Sequence, residues 1–406
     1  MLAGATAAAP TFTADLAGTY VASLVVNDGK LSSTASTVTV VATAAANDFG
    51  SAPLFDVQTI DTASLRAVGD FNGDKRVDLI AEVPGATSFE EPKAYIYRQE
   101  ADGKFSKIAL SVRIPYTFAS EADFNHDGSD DLPTLPLGGS CALSVMFFAP
   151  DLLSFTTTTG LSPGTCAVPA LRALDFDGDG KTDLVPLGST PTVAYLGTGT
   201  KSFKPLQLQK PFALQGDILA AADLDGDGTV DLLAANSNHG SNQVSISVAY
   251  GTGAGNYTNV KNWVYSNLTQ GYSSPSGPAF VADFNNDGFK DILYCPGGSG
   301  SCMLILGDGP QSFGPTARLV SLNSGSLVVT DINGDGNVDL VGSNINGGVE
   351  IRLGDGKGNF AAAVTIPGSA GSFTFPGEFR IADMNGDGKP DVILTTDGVL
   401  RIFTQR

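Results

Sequence analysis

One nonapeptide pattern, D-x-[DN]-x-D-x-x-x-D followed by Leu, Ile or Val, occurs seven times in the 406 residues. It reads DFNGDKRVDL from Asp70, DFNHDGSDDL from Asp123, DFDGDGKTDL from Asp175, DLDGDGTVDL from Asp223, DFNNDGFKDI from Asp283, DINGDGNVDL from Asp331 and DMNGDGKPDV from Asp383. The starts are separated by 53, 52, 48, 60, 48 and 52 residues, a period close to that of four-stranded propeller blades. Length alone, at about 150 residues per domain, suggests two or three domains, but a fixed internal period overrides that quotient.

The acidity of the chain sits in these repeats. The seven nonapeptides hold 24 Asp and five Lys or Arg, which is the whole net charge of −19; the remainder carries 18 acids and 18 bases. Such a balance argues against nucleic acid as a partner, because neutralising phosphates needs clustered Lys and Arg. The aliphatic runs fall far short of the roughly 20 residues that cross a bilayer, so no membrane insertion is expected.

Three or four carboxylates within nine residues repel one another unless a cation neutralises them. Oxygen ligands at positions 1, 3, 5 and 9, with a backbone carbonyl at 7, suit a hard cation of flexible coordination, calcium before magnesium; zinc would want His or Cys. Position 6 needs a sharp turn and is Gly in six loops but Lys75 in the first, so the first site is expected to be the weakest. An EF-hand is excluded because its position-12 Glu is replaced by Ala81, Thr134, Pro186, Ala234, Tyr294, Gly342 and Leu394.

The flanks read as strands. Leu-Arg-Ala-Val-Gly precedes Asp70, and Val-Asp-Leu-Ile-Ala and Asp-Ile-Leu-Tyr follow two of the loops. Turns such as LGTGTKSF after Tyr195, GTGAGNY after Tyr250, LGDGPQSF at Leu306 and LGDGKGNF at Leu353 then join a third strand to a fourth. Fourth strands are expected at Lys-Ile-Ala-Leu-Ser-Val after Ser106 and at Ala-Val-Thr-Ile after Ala362. The last repeat runs out after three strands at Arg406, whereas Pro53 to Ile60 is a strand with no blade before it. Donated to the last blade, it would close the ring and remove two sheet edges. The expected fold is thus all-β, a seven-bladed β-propeller of four-stranded blades over 47–406, with a calcium-binding loop in each blade.

On these motifs the chain resembles the FG-GAP, or VCBS, repeat family, the calcium-loop propellers of integrin α-subunit heads, of many bacterial surface and secreted proteins and of some seven-bladed lectins. The resemblance covers roughly Asn47 to Arg406. It implies that the metal ligands are Asp70, Asn72, Asp74, Arg76 and Asp78 in the first loop, and Asp123, Asn125, Asp127, Ser129 and Asp131 in the second. In the third and fourth they are Asp175, Asp177, Asp179, Lys181, Asp183 and Asp223, Asp225, Asp227, Thr229, Asp231. The fifth to seventh supply Asp283, Asn285, Asp287, Phe289, Asp291, then Asp331, Asn333, Asp335, Asn337, Asp339, then Asp383, Asn385, Asp387, Lys389, Asp391. The position-7 residues among these would serve through their carbonyls. The family spans adhesion, sugar binding and, occasionally, lyase or lipase chemistry.

Residues 1–46 differ. AGTYVASLVVNDGKLSSTASTVTVVAT alternates apolar and polar residues about an Asn-Asp-Gly turn, a β-hairpin signal. It looks like the last strands of a PKD or related immunoglobulin-like domain. No signal peptide is visible after Met1. Export is inferred instead from four cysteines with local spacing, Cys295 with Cys302 across a hairpin and Cys141 with Cys166 within one repeat, and from the millimolar calcium outside cells. A secreted or cell-surface protein is expected.

Signals for catalysis are few. His126 is at loop position 4, facing solvent, and His239 is in the polar connection Asn236 to Gln243. Gly160-Leu161-Ser162-Pro163-Gly164 matches the serine-hydrolase pattern but fails on mechanism, since Pro163 has no N–H to offer an oxyanion. Glu90 and Glu91 are adjacent in a loop, as solvated pairs usually are. The expected function is a monomeric calcium-binding adhesion module for a glycan or protein on the face opposite the acidic loops; the alternative is a polysaccharide lyase or hydrolase. The longest spacing carries the only Trp, so His239, Trp263, Tyr265 and Tyr272 are the candidate ligand residues.

Overall fold

The structure is a computed structural model, and it describes residues 2–3, 11–12, 18–26, 30–34, 36–42, 55–85, 90–112, 114, 116–117, 120–135, 143–152, 154–161, 170–188, 193–208, 213–238, 243–253, 255–266, 277–296, 301–321, 324–344, 348–369 and 379–406. Among these, seven antiparallel four-stranded sheets follow one another in sequence order. Blade 1 is Ser64–Gly69, Asp78–Val83, Lys93–Gln99 and Phe105–Ala109. Blade 2 is Tyr116–Thr117, Leu132–Leu135, Leu143–Phe148 and Phe155–Leu161. Blade 3 is Ala170–Leu174, Asp183–Leu187, Val193–Gly197 and Phe203–Gln207. Blade 4 is Asp217–Ala222, Asp231–Asn238, Gln243–Gly251 and Tyr257–Tyr265. Blade 5 is Ala279–Ala282, Asp291–Tyr294, Ser301–Gly309 and Ser312–Ser321. Blade 6 is Ser324–Thr330, Asp339–Asn344, Val349–Arg352 and Val364–Thr365. Blade 7 is Phe379–Ala382, Asp391–Thr396 and Val399–Gln405, completed by Phe55–Asp61, which pairs from Leu400↔Asp61 to Gln405↔Phe55. The fourth strands are shorter than their sequences suggest: Phe105–Ala109 stops before Ser111, and Val364–Thr365 is two residues long.

Burial explains why second strands read as continuous apolar runs. Asp183–Leu187 and Asp391–Thr396 are buried throughout, whereas the outer strand Phe203–Gln207 is mostly exposed. A middle strand is covered on both faces because each blade packs against two others. Seven apolar clusters fill the seven interfaces between blades. One joins blades 4 and 5 through Leu233, Val244, Ile292 and Met303. The interface that shows closure joins blade 7 to blade 1, with Ile393, Leu400 and Ile402 against Leu79, Ala81 and Tyr97. Hydrogen bonds cross the same seam: the Leu65 N–H donates to Thr395 Oγ1 at 3.0 Å, and Tyr97 Oη donates to Asp61 at 2.8 Å.

The N-terminal hairpin forms as a two-stranded sheet, Gly18–Leu24 with Ser36–Ala42, paired from Gly18↔Ala42 to Leu24↔Ser36; its Asn-Asp-Gly turn lies outside the described residues. Nothing in it establishes a PKD or immunoglobulin-like domain. Cys295 and Cys302 form a disulfide with Cα atoms 4.1 Å apart, while Cys141 and Cys166 lie outside the described residues. No helix among the described residues is long and apolar enough to cross a membrane.

Candidate metal-binding loops

Each acidic loop joins the first strand of its blade to the second. The fold of the loop is dictated by its own carboxylates. At position 1, Asp223 Oδ1 accepts N–H bonds from Gly226 (2.7 Å) and Asp227 (3.2 Å), and its Oδ2 accepts from Gly228 at 2.9 Å. The same fan recurs at Asp70, Asp175, Asp331 and Asp383. Position 3 then caps the N–H of position 5, as Asp225 does for Asp227, and position 5 caps that of position 7, as Asp227 does for Thr229. Side-chain oxygens that capture nearby N–H groups hold a chain in tight turns.

This winding puts positions 4 and 6 in the left-handed region. Gly fills position 6 in six loops, and Lys75 is forced there at φ 66°. Position 4 has the same demand, met by Gly in five loops but by His126 at φ 62° and Asn286 at φ 57° in the others. A non-glycine residue held there costs about 1–2 kcal/mol. Lys75→Gly should therefore raise stability by about 1 kcal/mol, which a thermal melt in calcium reads directly.

Position 9 does a different job. Asp78, Asp131, Asp183, Asp231, Asp291, Asp339 and Asp391 are all fully buried. In six loops Oδ2 accepts the N–H of position 2, as Asp231 does from Leu224 at 2.8 Å. In six Oδ1 accepts an N–H from the third strand, as Asp231 does from Gly251 at 2.7 Å, or, in blade 6, from Gly354 just beyond it. The strand passes so close that a Cβ on Gly251 would stand 2.3 Å from the Val230 carbonyl. Two buried oxygens, Asp78 Oδ2 and Asp131 Oδ1, are left without a hydrogen bond.

Position 2 carries a contribution that the spacing of the acids does not reveal. Phe71, Phe124, Phe176, Leu224, Phe284, Ile332 and Met384 are all buried, and each enters the interface with the next blade. Phe71 meets Phe148 edge-on at 5.3 Å, and Phe124 meets Phe203 at 5.6 Å. The alternation D-apolar-[DN] was the available signal. Loops also touch directly: Asp130 accepts the Asp70 N–H at 2.8 Å, and Gln311 Nε2 donates to Asp225 Oδ2 at 2.6 Å.

The loops differ at position 3. Asn72, Asn285, Asn333 and Asn385 donate Nδ2 to the position-5 carboxylate at 2.8–3.1 Å, relieving the repulsion internally. Asp177 and Asp225 cannot donate. In those two loops carboxylate oxygens of Asp175, Asp177 and Asp183, and of Asp223, Asp225 and Asp227, converge within 4.8 Å of one another. Blade 1 goes the other way, with the Arg76 guanidinium on Asp74 and its Nε donating to the Gln99 carbonyl at 3.0 Å. The all-oxygen set fits a hard cation best in blade 4; in blade 3 the Lys181 ammonium sits on the position-5 carboxylate of Asp179, as the Arg76 guanidinium does on Asp74 in blade 1.

Burial, reinforced by the neighbouring loop acids and opposed by the N–H bonds, raises the position-9 carboxyls: Asp78 to about 7, Asp131 to about 8, and Asp183, Asp231, Asp291 and Asp339 to about 6. The ordinary value is 3.8. A carboxyl whose folded value is the higher one binds its proton more tightly in the folded chain, so the ion-free protein loses stability as pH rises from about 4 through 6 to 8. A cation needs the ionised form and reverses the slope. The melting temperature should fall between pH 5 and 8 in chelator and rise over that interval in calcium; two parallel curves would refute this.

Of the candidate ligand residues, His239 and Tyr272 lie outside the described residues. Trp263 and Tyr265 are on the outer strand of blade 4, toward the end away from the acidic loops. Trp263 is half-buried, edge-on to Phe313 at 5.0 Å, and Tyr265 is buried with Oη donating to the Gly314 carbonyl at 3.1 Å. Both rings pack between blades 4 and 5, and the structure does not bring them to the acidic loops. His126, Glu90 and Glu91 are exposed.

Fold and loops together define a seven-bladed β-propeller with an acidic turn in every blade. The model for the FG-GAP-like repeat matches residues 175–234, 223–294, 283–342 and 331–394, more than half of the chain, which belongs to that family. None of the curated proteins compared with it matches. Among solved structures it is similar to a chain in a crystal structure of the mitotic checkpoint complex, at 14% identity over 89% of this chain and 98% of that one, TM-score 0.44. It is also similar to puromycin hydrolase, at 13% identity over 82% of this chain and 58% of that one, TM-score 0.33. Likenesses this distant carry nothing about function.

Proposed function

We propose that this protein is an extracellular, calcium-stabilised binding module, a monomeric propeller whose glycan or protein ligand meets the face opposite the acidic loops. The observation that carries this is the division of labour between the two faces. All seven acidic turns and the hairpins between third and fourth strands share one face, where the carboxylates are engaged by backbone N–H groups of their own loop and of the third strand. The strand ends bracketing 239–242 and 267–276, the connections of the longest repeat, are at the other face, where loops are free to vary.

Calcium would be held by the side-chain oxygens of positions 1, 3, 5 and 9, an Asn amide oxygen at position 3 in five loops, and by the position-7 carbonyl, and would supply charge neutralisation. FG-GAP-like repeats and the Cys295–Cys302 disulfide both suit an oxidising, calcium-rich exterior. The test is a glycan-array and bacterial-surface binding screen run in millimolar calcium and again in chelator. Saturable binding that chelation abolishes is expected; turnover of a polysaccharide without retention would favour the enzyme instead.

A further inference from the structure

The hairpin between the third and fourth strands of blade 5 reaches across to the acidic loop of blade 4. At its turn Gln311 is held at φ 56°, a left-handed conformation that Gly adopts freely and a longer residue does not. A side chain kept in that conformation points to a role for it. Gln311 Nε2 donates to Asp225 Oδ2 at 2.6 Å, and its Oε1 accepts from Asn259 Nδ2 at 2.8 Å. Its main-chain carbonyl accepts from Lys261 Nζ at 2.8 Å. Asp225, Asn259 and Lys261 all belong to blade 4, so three bonds clamp one residue of blade 5 across the seam.

Asp225 occupies position 3 of the loop in which carboxylate oxygens of Asp223, Asp225 and Asp227 converge within 4.8 Å of one another. An ionised carboxylate only accepts, so the Gln311 amide must turn its nitrogen toward Asp225, and Asn259, donating to Oε1, holds it that way round. Asp225 Oδ1 meanwhile caps the Asp227 N–H at 3.2 Å. In blades 1 and 3 a side-chain cation lies on the position-5 acid, where it competes with a metal ion for the same charge. Gln311 instead fixes the Asp225 carboxylate and leaves its charge intact. Among the described residues, no other loop has its position-3 side chain bonded from another blade.

We propose that Gln311 is a positioning residue for calcium in the blade 4 loop, holding Asp225 in place from the neighbouring blade. A ligating carboxylate is oriented by the groups that hydrogen-bond to it, and losing such a partner weakens metal affinity by about tenfold or more. The assignment rests on the reading of the acidic loops as calcium sites and adds to one of them a residue that its own nonapeptide does not contain. It also links that site to an intrinsic probe. Gln311 stands two residues before Phe313, whose ring meets Trp263 edge-on at 5.0 Å, and Trp263 is the one tryptophan of the chain. Calcium that orders Asp225 and Gln311 is therefore read in the emission of a single residue.

The experiment is a calcium titration of the whole chelator-stripped chain, well below its melting temperature, followed by calorimetry and by Trp263 emission. The wild-type emission should change saturably, with a response that Asp225→Asn weakens and Asp177→Asn, in the blade 3 loop, leaves alone. Gln311→Gly should weaken the site seen by Trp263 about tenfold. Because Gly suits φ 56°, the same variant should melt in chelator nearly as the wild type does. Asn259→Ala should weaken the site less, and should add nothing to Gln311→Gly, since both act through one amide. Wild-type calcium affinity in Gln311→Gly, a melting temperature that it lowers equally in calcium and chelator with affinity unchanged, or emission indifferent to calcium that calorimetry shows to bind would each overturn the proposal. The first of these would leave the calcium loops standing and remove only Gln311 from them, whereas a wild type that binds no calcium would overturn both.

Discussion

Excess chelator will lower the melting temperature of this protein by more than about 10 °C, and as one cooperative transition. The loops hold 24 Asp against five Lys or Arg, and a cation is the cheapest way to let them converge as they do at Asp175, Asp177 and Asp183. A site filled at a hundred times its dissociation constant contributes about 2.7 kcal/mol, so even partial additivity over three sites rivals the roughly 5–15 kcal/mol stability of a domain. The position-2 residues make the effect global, because each loop anchors a side chain in the next blade. Two substitutions separate metal from scaffold. Asp227 is exposed and accepts only from Thr229, so Asp227→Ala should lower the melting temperature far more in calcium than in chelator, where only that turn cap is lost. Asp231→Ala strips two buried N–H groups, those of Leu224 and Gly251, of their acceptor. It should cost about 2–4 kcal/mol in both conditions.

Removing residues 1–61 should be nearly as damaging, whereas removing 1–46 should cost little. Strand Phe55–Asp61 covers the edge of Val399–Gln405, buries Phe55 between blades 6 and 7 with Ile366 and Phe403, and ends at Asp61, which accepts from Tyr97 of blade 1. Lys107 reinforces that end, its Nζ 4.2 Å from the centroid of the Tyr95 ring. Without the strand, blade 7 has three strands and a long unpaired edge, a template for pairing with other chains. Size-exclusion chromatography should show aggregates for the shorter protein. A monomeric 62–406 chain of unchanged melting temperature would mean that the ring closes without this strand.

Much of this was legible in the sequence because the repeat is local. Seven acidic turns at a fixed period, four strand segments in each and a chain that ends one strand short are all within reach of nearest-neighbour patterns. The double role of the acids was not. Asp231 looks like a fourth ligand in DLDGDGTVD, yet its partner Gly251 is 20 residues away and becomes visible only once the third strand is paired. His126 and Asn286 gave no sign of strain, since nothing in their sequence marks position 4 as left-handed. For Trp263 the strand pattern left a buried fourth-strand place and a ligand role equally open, because the blade that covers it and Tyr265, through Phe313 and Gly314, starts later in the chain.

The most direct test of the central claim is titration calorimetry of the chelator-stripped protein with calcium at pH 7.5. Several calcium ions per chain are expected, with Asp177→Asn and Asp225→Asn each weakening a tight site and substitutions in the blade 1 loop changing least. A titration that shows no bound calcium, with a melting curve identical in calcium and chelator, would contradict the account.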